Sequence, residues 1–121
     1  MAEYLPLYKP GQAITLKASA GITGGRVVAV SGSGTVATAG ADALNWVGVA
    51  ANDAATNDDV TIYTGGVQYC TASGAITAGD QVECAAAGAV ATAAGTTYAT
   101  FVGVALKSAA DGARVPVHFN R

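Results

Sequence analysis

Valine, isoleucine, threonine and tyrosine recur at every second residue through much of this chain, and no stretch holds a convincing 3.6-residue period. The pattern predicts short β-strands. In the first half they fall near 13–18, 26–31, 35–39, 46–50 and 58–63, and in the second near 66–71, 81–86, 89–93, 101–106 and 114–119. Ser31-Gly32-Ser33-Gly34, between two valine-rich runs, reads as a tight hairpin connection, because glycine supplies the positive φ such turns need. In the last strand Val115, Val117 and Phe119 alternate with Arg114, Pro116 and His118, so one face is apolar and the other polar. Pro116 has no N–H to give to a ladder, which predicts an edge strand or a bulge at that position. Ala41–Asn45 and Ser108–Gly112 have some helical character but are short and bounded by glycine, and they are assigned as loops.

Laid over itself with a shift of about 54 residues, the chain matches along most of its length. Ala18-Ser19 falls on Ala72-Ser73, ITGG at 22–25 on ITAG at 76–79, and GTVATAG at 34–40 on GAVATAA at 88–94. After one inserted residue, WVGVA at 46–50 falls on FVGVA at 101–105, and Val60-Thr61-Ile62 on Val115-Pro116-Val117. Alanine matches carry little weight in an alanine-rich chain, but the ordered series of blocks indicates a duplication. The predicted fold is all-β, a small barrel or sandwich of about ten short strands in two tandem pseudo-symmetric repeats related by a pseudo-twofold. Repeat one covers 11–63 and repeat two 65–119. No linker separates them, so 11–121 is read as a single β-domain with a shared core.

Composition narrows the picture further. About half of the 121 residues are apolar, but alanine and glycine supply much of that half and large side chains are scarce. Such a core buries little area per residue, which points to added stability from a partner. The six basic residues are dispersed and the net charge is −2, so the electrostatic footprint of nucleic-acid binding is missing. No apolar run approaches the roughly 20 residues that span a bilayer, and no basic amphipathic stretch suits a membrane surface. The expectation is a soluble protein without a secretion signal.

Candidate chemistry is sparse. Cys70 falls on Leu16 and Cys84 on Val30, so both read as buried hydrophobes at core positions. His118 is the single histidine and cannot complete a metal site with the cysteines. Gly32-x-Gly34-x-x-Ala37 resembles a dinucleotide fingerprint, but strand sequence follows where a helix is required. Asp53, Asp58 and Asp59 share one loop without EF-hand spacing and read as a solvated acidic loop. Trp46 corresponds to Phe101, which favours a core role over a sugar platform. No acid, base or nucleophile constellation is found, so the expectation is no enzyme, no cofactor and no metal.

One segment has no counterpart between the repeats. Residues 1–10 contain Tyr4-Leu5-Pro6-Leu7-Tyr8-Lys9-Pro10, whose prolines hold the chain extended while denying it ladder hydrogen bonds. It reads as an N-terminal arm. Exposed apolar and aromatic groups on an arm are unfavourable unless something covers them, so Tyr4, Leu5, Pro6, Leu7, Tyr8 and Lys9 are the candidate partner-binding residues.

The chain as a whole resembles the alanine- and glycine-rich capsid decoration, or cement, proteins of tailed bacteriophages. The resemblance rests on the Pro-Gly entry into Ala13-Ile14-Thr15-Leu16, the I-T-x-G-x-x-V block, and Val102-Gly103-Val104-Ala105 leading through Asp111-Gly112 to Val115-Pro116-Val117. It implies a β-rich protein on the outer capsid surface that binds the major capsid protein, often as a trimer, after synthesis in the host bacterial cytoplasm. Alternatives are a host- or glycan-binding head-fibre module and a tail-tube subunit.

Overall fold

The computed structural model describes residues 3–121, so the first two residues of the predicted arm lie outside it. The described residues form ten strands, in the places that the alternation indicated. Repeat one contributes β1 (Ile14–Ala18), β2 (Val27–Gly32), β3 (Thr35–Thr38), β4 (Trp46–Ala50) and β5 (Asp59–Tyr63). Repeat two contributes β6 (Val67–Thr71), β7 (Gln81–Cys84), β8 (Val90–Thr92), β9 (Phe101–Ala105) and β10 (Arg114–Phe119). Single 3-10 turns occur at Ala86–Gly88 and Tyr98–Thr100, while 41–45 and 108–112 hold no helix.

The first five strands close into a barrel in the order β1-β3-β2-β4-β5, and the second five form a sheet in the order β6-β10-β9-β7-β8. These orders are the same once each strand is replaced by its repeat mate. The seam that closes repeat one, the parallel pairing of Ala18 with Val36, survives in repeat two as one parallel bridge between Ala72 and Val90. Ile22 and Ala54 exchange two backbone hydrogen bonds, and so do their mates Ile76 and Ala109. A Cβ on Gly48 would strike the Tyr63 carbonyl oxygen, and one on Gly103 the His118 carbonyl oxygen. The V-G-V-A blocks therefore carry glycine because two strands approach too closely for a side chain.

Two hydrophobic clusters fill the interior where the sequence suggested one. The first lies inside the barrel and includes Val28, Val36, Val60 and Ile62. In the second, Cys70, Val82, Val90, Val102, Val115, Val117 and Phe119 of repeat two are joined by Val27, Ala29, Ala39, Trp46 and Val49 of repeat one. Alternation along β2 sends Val28 into the barrel and Val27 and Ala29 to the second cluster, and a bulge that places the extra residue in β4 brings Trp46 to the same side as Val49. Trp46 is only 3% exposed, stands edge-on to Phe119 with ring centroids 5.7 Å apart, and is covered by the Arg121 guanidinium at 4.0 Å.

Contacts between the repeats are one-sided, which replaces the expected twofold with a head-to-tail relation. Gly88 packs on Val27 and Thr38 and donates its N–H to Ala39, whereas a Cβ on its mate Gly34 would meet nothing within 4 Å. Asp42 donates its N–H to the Cys84 carbonyl, whereas Val30, the mate of Cys84, is 45% exposed. Val30 is therefore not the core position expected, because no second repeat covers it. Leu16 is half-buried against the barrel cluster.

Pro116 also departs from expectation. Strand β10 lies between β6 and β9, inside the sheet. The Pro116 carbonyl accepts from Leu106 on the β9 side at 2.9 Å, so its nitrogen faces the same way. Strand β9 ends at Ala105, so the one bond that Pro116 cannot make falls at the end of the ladder, where Leu106 still donates to it.

Gly103→Ala is expected to destabilise the protein by about 2–4 kcal/mol in denaturant titration, while Gly21→Ala, where nothing lies within 4 Å, stays within about 0.5 kcal/mol. Trp46→Ala should lose about 3–5 kcal/mol, because it empties the junction of the repeats.

Candidate interaction surface

The arm reaches the barrel through a turn. Gln12 donates its N–H to the Lys9 carbonyl at 3.1 Å, and Gly11 takes φ of 82°, which the Pro-Gly pair permits. The Lys9 N–H donates to Gln12 Oε1 at 2.6 Å, and the Thr64 hydroxyl donates to the Gln12 carbonyl at 3.2 Å. The turn brings Tyr8 back over β1, where its hydroxyl accepts a hydrogen bond from the Thr15 N–H at 3.3 Å. Beyond Tyr8 the arm stands clear of the fold. Tyr4, Leu5 and Leu7 are 78%, 82% and 88% exposed, and Pro6 and Lys9 are exposed as well.

Elsewhere the reactive groups are engaged locally. Asp53 accepts from the Gly24 N–H at 2.7 Å and Asp58 from the Ala55 N–H at 3.2 Å. Asp59 pairs with Lys17 at 2.8 Å, and its hydrogen bond raises the Lys17 pKa. Asp53 and Asp58 thus brace turns while Asp59 pairs across the β1–β5 ladder, and no group of three metal-ligating side chains is found among the described residues. His118 is exposed on β10, opposite Val67 and Val104. Cys70 and Cys84 are free and buried, and burial pushes their thiols from 9.0 up to about 12 and about 11.

Two features of the surface were missed by sequence reasoning. Loops 39–45 and 93–100 meet over β7 in an open pocket of about 520 Å³, lined by Asp42, Leu44, Glu83, Thr97 and Thr100 among others. The Thr100 hydroxyl donates to Glu83 at 3.3 Å there. The other is β6, whose Val67 and Tyr69 are 51% and 58% exposed on an edge of the second sheet.

A search of protein families matches residues 8–119 to the phage cement proteins. The chain belongs to that family. Membership makes it a structural component of a phage particle that associates with the capsid. The cement fold is also similar to a solved structure, the N-terminal base of the head fibre gp8.5 of bacteriophage phi29, with a TM-score of 0.73. Identity is 20%, and the alignment covers 90% of this chain and 93% of that one, so the likeness is one of fold. No protein of curated function matches the chain.

Burial of the cement protein's thiols sets a pH dependence. A thiol with a raised folded pKa keeps its proton when the unfolded chain has lost it, so its contribution is complete below about pH 9 and is lost as pH rises toward 11–12. Thermal melts should show a smaller alkaline loss of stability for Cys70→Val than for the wild type. A thiol reagent at about pH 8 should label the cysteines after unfolding and leave the native protein unlabelled.

Proposed function

We propose that the protein decorates the outer surface of a phage capsid and stabilises the shell by bridging neighbouring capsid subunits, with the N-terminal arm as its principal contact. The observation that carries this reading is the match to the cement family over nearly the whole chain, in a fold that leaves Leu5 and Leu7 exposed ahead of β1. Each contact can be modest. Many copies on one shell act together against the pressure of packed DNA, so geometry and copy number supply what a single small interface lacks.

The arm residues Tyr4, Leu5, Pro6, Leu7, Tyr8 and Lys9 contact the major capsid protein or a neighbouring decoration subunit. Apolar side chains on a segment preset to be extended suit strand addition or a shallow groove, because little conformational entropy remains to be lost on binding. A homo-oligomer, with a trimer favoured, would hold several arms over one site. The protein is read as non-catalytic, made in the host cytoplasm and carried on the virion exterior. A second reading, a head-fibre base, draws on the similarity to the phi29 head-fibre base. The two differ in whether the protein holds the shell together or holds another structure above it.

Deleting residues 2–10 should leave the β-fold intact by circular dichroism and weaken binding to undecorated capsids by about tenfold or more. Undiminished occupancy by the truncated protein would remove the arm from the interface.

A further inference from the structure

The two repeats close their sheets differently. Along β6, Gly66 accepts from Phe119 and Ala72 donates to Ala113, so the even-numbered residues turn their N–H and C=O toward β10 and its flanks. The odd-numbered Val67, Tyr69 and Thr71 face the other way. Beyond them the only link to β8 is the Ala72–Val90 bridge with its Ser73 N–H bond to Val90, so the three residues have no backbone partner on that side among the described residues.

The mates of these positions in repeat one are occupied. The N–H of Lys17, mate of Thr71, donates to the Gly34 carbonyl at 3.2 Å. That of Thr15, mate of Tyr69, is capped by Tyr8 of the arm. Repeat two lacks the first contact because its hairpin is drawn onto repeat one, where Gly88 donates to Ala39. It lacks the second because no arm precedes it. Side-chain chemistry differs in parallel: Ala13 and Thr15 are replaced by Val67 and Tyr69, so the open edge is flanked by apolar surface that the fold itself does not demand.

We propose that the open edge of β6 receives residues 4–7 of the arm from a second copy of this chain, added as an extra strand. The occupant is set by the arm's own pattern. If Leu5 and Leu7 turn their backbone groups to the edge, Pro6 points its missing N–H away, and the same register places both leucine side chains beside Val67 and Tyr69. The arm already seats Tyr8 on the equivalent edge of its own repeat one, which leaves its outer residues free for a neighbour. This rests on the arm being a contact element and assigns its target as a neighbouring decoration subunit.

The test mixes two differently tagged full-length variants, Leu7→Cys and Tyr69→Cys, under mild oxidation. Residues 7 and 69 are both exposed, and the native cysteines are buried. The mixture should yield a disulfide-linked heterodimer at least about tenfold above either variant alone, and Val67→Lys in the second chain should suppress it. Absence of the heterodimer overturns the proposal. So does a double variant, carrying both cysteines on one chain, that crosslinks only within itself. Capsid binding by the same proteins is scored separately: capsid binding that depends on the arm, without the heterodimer, sinks this pairing and leaves the cement reading standing.

Discussion

Packing of the outer β2–β4 face of the barrel onto the second sheet is the interaction on which the rest of the structure depends. Valines and alanines give each repeat a thin core, and a pair of such units would be marginal apart. Trp46 is the one large anchor between them, held edge-on by Phe119 and covered by Arg121. Burial of a side chain of this size is worth roughly two of the valines around it. Because the contact is head-to-tail, it uses one face of each repeat and leaves a different face of each unused.

Head-to-tail packing carries a hazard, since the vacant faces invite a third unit and then a filament. The chain blocks this on one side through composition. Val27 and Ala29, which dock onto repeat two, are matched in repeat two by Gln81 and Glu83, and the 93–100 loop ties Thr100 to Glu83. Polar substitution of the terminal repeat's outer face is how stacked repeats stop growing. No such treatment is applied at β6, where Val67 and Tyr69 replace Ala13 and Thr15. The stack is capped and the edge left open, which fits a protein that associates laterally on a shell.

Much of this was legible in the sequence. Period-two alternation placed the strands within one or two residues, and the shift of about 54 residues placed Gly48 with Gly103 and Trp46 with Phe101 before either was seen in space. What escaped depends on how the repeats meet. Pro116 looked like an edge marker because its missing N–H is local, whereas the end of β9 opposite it is not. Val30 looked buried because Cys84 is, and only the one-sided junction separates them. The open edge at β6 arises from a hairpin diverted by Ala39, about fifty residues away in sequence. The arm stood out early because nothing in the other repeat accounts for it.

Cryo-electron microscopy of capsids assembled without this protein and then mixed with it tests the central claim most directly. The account predicts added density at regular positions on the outer shell, with the end that carries Pro10 and Gly11 turned toward the capsid or an adjoining copy. Capsids that stay bare at saturating protein, or density confined to the tail, would contradict it.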